Sequence, residues 1–345
     1  MTIDIKTYFS LNAFLQGLGV AGALYVLIAV YILVTGGQTL AGLEVKLPSE
    51  TIVIETAIPV SSVVAADSSD PHLSEDPDSL PLKTEDALKP APISGLYEKT
   101  AGGLQLPIVS ALGEEPFHAY KRPFVHTGFP IISLVIQDFG LSEQESEAVL
   151  RSLPSEVSFI LSPYASDATE WQEKARAAGH EIWIEVPAQT KNSYMNDPGP
   201  QALLKDYSMK YNRERLEWAL SRTSGYAGIA IDLDATFTRV KPIIEPVLDE
   251  VFKRGLGILQ LNSKGPEFFK TLAQEKSAPY VENGLAGTEN LFMNLEVAAK
   301  SRGSINAVVS LNDVSLKDLS EWAQGLEAKE ITLAPISSAV TSQQP

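Results

Sequence analysis

Carboxylates recur where the apolar, strand-like stretches of this chain end. The predicted strand ends carry Asp138, Glu185, Asp232 and Asp234. In a parallel sheet these ends meet at one edge, so the acids are expected to converge at a common mouth. Asp138, Glu185 and Asp232 are the candidate catalytic groups. Gathered carboxylates repel one another unless shared protons or a cation compensate them. Oxygen ligands suit Mg²⁺, Ca²⁺ or Mn²⁺ better than zinc, which makes Asp138, Asp232 and Asp234 candidate ligands of a hard divalent cation.

The same acids also have an ordinary structural interpretation. Asp and Asn are favoured in turns and at helix N-termini, and such positions follow every strand of an alternating chain. The spacing of these acids matches no recognised ligand motif. We therefore expect no cofactor, with a bound divalent cation as the alternative and zinc disfavoured.

The elements that must position these residues alternate between strand and helix from residue 128 onward, which is typical of an α/β fold with a parallel sheet. Strands are predicted at 131–136, 157–161, 181–186, 226–231, 257–261, 305–311 and 331–334, and helices at 141–153, 168–178, 211–222, 242–254, 266–275, 288–301 and 315–326. Seven such units suit a deformed or incomplete (β/α)7-type barrel better than an eight-fold one, which typically needs about 250 residues. An open doubly wound sheet is the alternative. Ser142 and Glu145 predict a capping box for the first helix.

Composition excludes several classes of function. The 345 residues include 27 Lys and Arg, 43 Asp and Glu, 4 His and no Cys, for a formal charge of −16. Nucleic-acid binding is not expected, because phosphate contacts need a basic face. Without cysteine the chain has no disulfide, no thiolate nucleophile and no Cys-bound zinc.

The N-terminus predicts a membrane anchor. Between Leu11 and Val34 the chain carries no charge, and as a helix of ~36 Å it could cross a hydrocarbon core of about 30 Å. This stretch is longer than the roughly 7–15 apolar residues of a signal peptide, so residues 1–36 are predicted to be an uncleaved transmembrane helix. Because Lys6 precedes the span and acids dominate after it, the N-terminus is expected in the cytoplasm and the remainder outside.

The regions between the anchor and the globular part are predicted from composition. Residues 37–103 are acidic and rich in Pro and Ser, which is typical of a disordered linker. Residues 104–127 carry the prolines and aromatics of an extended arm that packs on a folded surface. The globular domain is expected at 128–338 and is followed by a tail at 339–345.

An ordered set of motifs resembles the divergent polysaccharide deacetylase family. It comprises Val135-Ile136-Gln137-Asp138-Phe139-Gly140, Leu153-Pro154 with Val157, Ser162-Pro163-Tyr164, Ala178-Gly179-His180-Glu181, Glu185-Val186-Pro187, Asp197-Pro198-Gly199-Pro200, Gly225-Tyr226-Ala227-Gly228, Phe237-Thr238, Arg254-Gly255-Leu256 and Leu333-Ala334-Pro335-Ile336-Ser337. The resemblance covers about residues 104–338. It implies a deformed (β/α) barrel related to bacterial enzymes that remove acetyl groups from N-acetylated sugars.

This chain departs from that family at its chemical centre. The resemblance implies a metal held by one Asp and two His, with a second Asp as the base. Asp138 matches the metal-binding Asp, but the base position is Gln137, an amide that accepts no proton. Where relatives carry histidines, this chain has Glu185 and the stretches 231–234 and 310–313. The four histidines are His72, His118, His126 and His180. His180 begins a strand and is expected at the end of the barrel opposite the mouth, so a His-bound zinc is not expected.

Three hypotheses for function follow. The preferred one is a catalytically degenerate deacetylase-like protein in the bacterial inner membrane, single-pass, whose periplasmic domain binds polysaccharide or peptidoglycan-type glycan. Its candidate sugar-stacking side chains are Tyr164, Trp183, Tyr194 and Phe237. Trp183 and Glu185 share one face of a strand, so they are expected to reach the mouth together or not at all. The alternatives are an active hydrolase with an all-carboxylate metal site and an envelope adaptor that acts through protein contacts of the linker and arm.

Overall fold

Short apolar stretches form the strands of this protein, and the amphipathic stretches between them form its helices. The computed structural model describes residues 86–191, 197–285 and 289–340, all within one compact unit, Glu75–Pro345. The strands are β1 (Tyr97–Lys99), β2 (Gln105–Pro107), β3 (Ile131–Phe139), β4 (Ser158–Leu161), β5 (Ile182–Glu185), β6 (Gly228–Ile231), β7 (Gly257–Gln260), β8 (Tyr280–Glu282), β9 (Ser304–Val309) and β10 (Thr332–Ala334).

The α-helices follow the predicted pattern closely. They are α1 (Pro116–Tyr120), α2 (Glu143–Ser152), α3 (Ala168–Ala177), α4 (Met209–Leu220), α5 (Lys241–Lys253), α6 (Glu267–Glu275), α7 (Leu291–Arg302) and α8 (Leu316–Gln324), with 3₁₀ turns at Ala235–Val240, Glu327–Lys329 and Ile336–Ala339. The predicted cap of α2 is confirmed, because the Ser142 side chain accepts a hydrogen bond from the backbone N–H of Glu145. Such a bond satisfies one of the free N–H groups of the first helical turn.

β3 to β10 form one sheet in which every described pair is parallel. One edge of β3 pairs with β9, and its other edge pairs with β10 near its start and with β4 beyond it. From β4 the sheet continues in order to β8 and curls into an incomplete barrel, as predicted. Between β8 and β9 there is no backbone ladder in the described part of the chain. Asn306 Oδ1 instead accepts from the N–H of Gly284 at 2.8 Å.

Bulky side chains fill the lower part of the barrel. The indole of Trp183 has no exposed surface, and the ring of Phe117 from α1 meets it edge-on at 6.3 Å between centroids. Gly228 lets this packing occur, since a Cβ there would come within 2.4 Å of the Trp183 ring. The contact between Phe117 and Trp183 therefore fills the centre of the barrel at its amino-terminal end.

A buried carboxylate ties three segments together at the amino-terminal end of the barrel. Glu181 is fully buried and accepts hydrogen bonds from the Trp183 indole at 2.8 Å and from the backbone N–H groups of Arg122 at 2.8 Å and Ser337 at 3.1 Å. A buried charge is tolerated when its oxygens are satisfied in this way. Glu181 thus fastens the arm and the C-terminal turn to β5.

His180 has the structural role that its position predicts. Its ring is buried, lies 2.8 Å through Nδ1 from the carbonyl oxygen of Val157, and stacks on Phe159 at 4.3 Å between centroids. Burial lowers its pKa to about 4, which keeps the imidazole neutral near pH 7. It precedes β5 and therefore lies at the end of the barrel away from the mouth.

The arm packs on the barrel over a longer stretch than predicted. The backbone N–H of Leu88 donates to the carbonyl of Arg176, and the Leu96 side chain is buried. The buried Arg176 guanidinium donates to the carbonyl oxygens of Lys89, Tyr120 and Gly225. Packing therefore begins at or before Leu88, and the boundary expected at residue 104 is too late, because backbone carbonyls of the supposed linker satisfy this arginine.

Two predicted segments fall outside the described residues. The anchor at 1–36 and the linker from 37 to 85 belong to the part of the chain that is not described here. Among residues 86–191, 197–285 and 289–340, no helix has both the length and the apolar character needed to cross a bilayer.

Candidate functional site

Asp138 lies at the end of β3, where the strand departs from regular geometry. Its backbone is left-handed, with φ +64°, and the register between β3 and β4 shifts between Ile136 and Phe139. Asp is one of the few residue types that tolerate this conformation. The protein around its carboxyl displaces water and raises its pKa, the charge of Glu145 raises it further, and a hydrogen bond with Gln137 opposes the rise. The residue itself remains exposed at the mouth.

Glu185 ends β5 and has the most strongly perturbed carboxyl of the mouth. It is half-buried, and this burial, with the charges of Asp138 and Asp232, raises its pKa to about 7 against a hydrogen bond from Ser162 that lowers it. The charges of Asp138 and Asp232 act on Glu185, so the three predicted catalytic carboxylates are near enough to interact electrostatically. With a pKa of about 7, Glu185 carries a proton in a large fraction of the molecules near neutral pH.

Asp232 lies on the loop that follows β6, and a side chain of β7 holds this loop in place. Burial and the charge of Asp234 raise its pKa, while a hydrogen bond from Asn262 lowers it. Its Oδ1 atom is buried and has no hydrogen-bond partner among the described residues. The fully buried Gln260 fixes the loop, with Nε2 donating to the carbonyl of Leu233 at 2.6 Å and Oε1 accepting from its N–H at 3.4 Å. A glutamine inside the apolar run of β7 was the available signal for this role.

Asp234 is separated from the other acids by its bonding partners. Its Oδ1 accepts from the N–H of Thr236 at 2.8 Å and caps the following 3₁₀ turn, while its Oδ2 lies 3.4 Å from Nζ of Lys205. Burial alone would raise its pKa, but the bonds from Thr236 and the charge of Lys205 lower it overall. The lysine ammonium thus neutralises the charge that Asp234 would otherwise offer to a metal ion.

The described residues do not fit the metal centres considered from the sequence. No three His, Cys, Asp or Glu side chains among them form a group that could hold a metal ion. The predicted ligand set of Asp138, Asp232 and Asp234 is therefore not brought together, because Asp234 is occupied by its cap and its lysine. The Asp-His-His set implied by the family resemblance is not matched either, since no described histidine lies at the mouth.

The predicted sugar-stacking residues differ in how exposed they are. Trp183 and Phe237 have no exposed surface, so their expected contact with a ligand is wrong. Tyr164 is half-buried; its hydroxyl donates to the carbonyl of Pro198 at 3.2 Å and accepts from the N–H of Gln201 at 3.0 Å. Tyr194 lies outside the described residues.

Open space borders two of the predicted catalytic carboxylates, Asp232 and Asp138. A cavity of about 440 Å³ is lined by Asp232, Asn262, Asn283 and Asp313 together with apolar side chains. Ligand pockets commonly enclose about 300–1,000 Å³, so this cavity has the size of a small-ligand site. A smaller cleft beside Asp138 is lined in part by Gln137, Glu145 and Asn312.

Comparisons with known proteins found a solved structure of similar fold, another of weaker similarity, and a matching family. A crystal structure of an uncharacterized protein from Agrobacterium tumefaciens is similar, with 28% sequence identity and a TM-score of 0.64 over 69% of this chain and 100% of that chain. The catalytic domain of a peptidoglycan N-acetylglucosamine deacetylase from Eubacterium rectale aligns with 14% identity and a TM-score of 0.39, over 66% of this chain and 98% of that chain. No curated protein matches the chain. The model of the divergent polysaccharide deacetylase family matches residues 134–340. This match spans more than half of the sequence, and the chain belongs to the divergent polysaccharide deacetylase family.

Proposed function

We propose that this protein binds a polysaccharide or peptidoglycan-type glycan at the barrel mouth without removing its acetyl groups. The observation that carries the proposal is the set of side chains at the mouth. Asp138, Glu185 and Asp232 gather there, and no described histidine accompanies them. Membership of the family supports a carbohydrate as the ligand. The carboxylates at the mouth, without a described histidine, favour binding of this ligand over its hydrolysis.

The charge of the mouth opposes amide hydrolysis by these residues alone. Attack on an acetamide carbonyl develops negative charge on its oxygen, which enzymes stabilise with positive groups or aimed N–H donors. Here the charged side chains that line the mouth are carboxylates, the ammonium of Lys205 is engaged by Asp234 at 3.4 Å, and the Asn262 amide is engaged by Asp232. Carboxylates instead suit the hydroxyls of a sugar, which donate hydrogen bonds to them. A protonated Glu185 can also donate a hydrogen bond to a sugar oxygen.

The cellular setting is part of the same proposal. The apolar stretch between Leu11 and Val34 would hold the protein in the bacterial inner membrane as a single helix. The positive-inside rule would then place the barrel in the periplasm, beside the envelope glycans.

One observation favours a second candidate function. Asp232 Oδ1 is buried without a hydrogen-bond partner among the described residues, an arrangement that costs free energy unless a proton or a cation compensates it. An active hydrolase that recruits a hard divalent cation to Asp232 is therefore the alternative. Metal analysis of the full chain distinguishes the two: stoichiometric Mg²⁺ or Mn²⁺ that is lost in Asp232→Asn would favour the hydrolase.

Glycan binding tests the proposal directly. The full chain should bind soluble N-acetylglucosamine oligomers in a calorimetric titration, and Asp138→Asn and Asp232→Asn should each weaken that binding about tenfold, since hydrogen bonds to a charged group contribute about 1.5–3 kcal/mol. Glu173→Gln, on the exposed side of α3, is the matched control and should leave binding unchanged. Equal affinity in the mouth variants and the control would refute glycan binding at the mouth.

A further inference from the structure

Two exposed tyrosines stand together at the start of α4. The rings of Tyr207 and Tyr211 have centroids 6.0 Å apart with an angle of 59° between their planes. Tyr207 is 37% exposed and Tyr211 is 55% exposed, although aromatic side chains usually bury most of their area. The Arg215 guanidinium lies over the Tyr207 ring, and much of the remaining ring surface of the pair is exposed to solvent.

The turn that carries these rings is rigidly held. The buried Asn212 accepts from the N–H of Leu204 through Oδ1 at 2.9 Å, and its Nδ2 donates to the carbonyls of Leu204 at 2.9 Å and Tyr207 at 3.4 Å. Ser208 caps the first turn of α4. Fixing a binding surface before the ligand arrives reduces the entropy that binding costs.

The tyrosine pair lies close in the chain to a residue that contacts the loop after β6. Lys205, two residues before Tyr207, contacts Asp234 at 3.4 Å, and Asp234 is two residues from Asp232. The start of α4 therefore adjoins the loop that carries a mouth carboxylate. The Arg215 guanidinium lies over the Tyr207 ring at 4.5 Å and orients that ring.

Helix α4, which begins beside the tyrosine pair, also contacts Tyr164. The Trp218 ring, one helical turn beyond Arg215 on α4, lies 5.3 Å from the Tyr164 ring. Tyr164 is near enough to Glu185 for the charge of that carboxyl to raise the tyrosine pKa, after the larger effect of burial. Aromatic rings and an arginine thus follow one another from the carboxylates at the mouth to the exposed Tyr211.

We propose that Tyr207 and Tyr211, with Arg215 beside them, form a stacking subsite for sugar units of a glycan chain that extends out of the mouth. This inference rests on the proposed glycan binding. A pyranose ring presents C–H bonds on its faces, which match the negative face of an aromatic ring, and hydroxyls on its edge, which can accept from a guanidinium. The mouth supplies hydrogen-bond acceptors for one end of the chain, and the tyrosines supply apolar contact for units farther along.

Binding of oligomers of different length distinguishes this subsite from the mouth, because only a long oligomer can reach both. The full chain and the double variant Tyr207→Ala/Tyr211→Ala are titrated with the dimer and the hexamer of N-acetylglucosamine. We expect the double variant to bind the hexamer at least tenfold more weakly, at about threefold to tenfold per ring, and the dimer almost unchanged. Tyr207→Phe/Tyr211→Phe keeps both rings and should retain most of the hexamer affinity. Met293→Ala/Val297→Ala removes a comparably exposed apolar pair from α7 and should bind both oligomers like the parent.

The outcomes distinguish the two proposals. Unchanged hexamer affinity in the alanine variant, with Asp138→Asn still weakening the dimer, would overturn the subsite and leave glycan binding at the mouth intact. Equal weakening of dimer and hexamer by the alanine variant would also overturn it, since the rings would then act at the mouth or on the fold. Failure of the parent protein to bind either oligomer would refute both proposals. Circular dichroism of each variant shows that the fold is retained.

Discussion

Replacing Glu185 by Gln should stabilise the protein at alkaline pH and change its stability little at acid pH. Burial, together with the charges of Asp138 and Asp232, raises the pKa of Glu185 from 4.5 to about 7. A carboxyl with a higher pKa in the folded state binds its proton more tightly there than in the unfolded chain. Below pH 4.5 the carboxyl is protonated in both states and the stability of the fold is fully retained. The free energy of unfolding then falls as the pH rises from 4.5 through about 7. Gln resembles the protonated acid in shape and cannot ionise.

The magnitude follows from the two pKa values. A rise from 4.5 to about 7 corresponds to about 3.5 kcal/mol at ~1.4 kcal/mol per pH unit. Because Glu185 keeps some contact with solvent, we expect about 1–3 kcal/mol of added stability for Glu185→Gln at pH 8.5. At pH 4.5 the two proteins should agree within about 0.5 kcal/mol, since the acid is then protonated for most of the time in the fold.

Urea unfolding of the full chain at pH values from 4.5 to 8.5, followed by tryptophan fluorescence, measures this difference. Glu173→Gln removes an exposed acid on α3 and is the control for the loss of one carboxyl group elsewhere on the protein. Asp138→Asn removes a charge that raises the pKa of Glu185, so the loss of stability with rising pH should become smaller. A constant difference between Glu185→Gln and the parent across this range would refute the electrostatic description of the mouth.

Two further predictions concern the residues that hold the mouth and the barrel together. Glu181→Ala should destabilise the protein by about 3–5 kcal/mol in urea unfolding, because the Trp183 indole and two backbone N–H groups lose their acceptor; Glu181→Gln keeps an acceptor and should lose less. A loss below about 1 kcal/mol for Glu181→Ala would contradict the structural role of this buried acid. Gln260→Leu should cost about 1–3 kcal/mol by leaving the N–H and carbonyl of Leu233 unpaired, and it should weaken glycan binding through the displaced Asp232 loop. Unchanged binding in that variant would show that the loop position does not matter for the ligand.

Periodicity was sufficient to predict most of the elements, but it missed several of the shortest ones. The seven strands and seven helices expected in the globular part are present, each within a few residues of its predicted bounds. The three-residue strands β1, β2 and β8 were not predicted, because three residues are too few to establish an alternating pattern. The sheet consequently has eight strands, while the incomplete barrel was predicted correctly.

The strand ends that carry the candidate residues were predicted, but the depth and the bonding partners of their side chains were not. Trp183 and Glu185 share a strand face as expected, yet Trp183 is in the packed floor and Glu185 at the mouth. Two residues of a strand rise about 6.6 Å, a height that alternation does not reveal. The contact between Asp234 and Lys205 joins residues 29 positions apart, and this partner decides that Asp234 is not free to bind a metal. Such pairings arise from tertiary folding and leave no local pattern.

The central claim is that the mouth binds a glycan and does not deacetylate it. One measurement tests both parts: acetate release is followed in a sample where the full chain is saturated with the N-acetylglucosamine hexamer, with Mg²⁺, Mn²⁺ or Zn²⁺ added in turn. We predict saturable binding with acetate release no faster than in the protein-free control. Acetate release above the protein-free control that is lost in Asp138→Asn or Asp232→Asn would contradict this prediction and establish the protein as an active deacetylase.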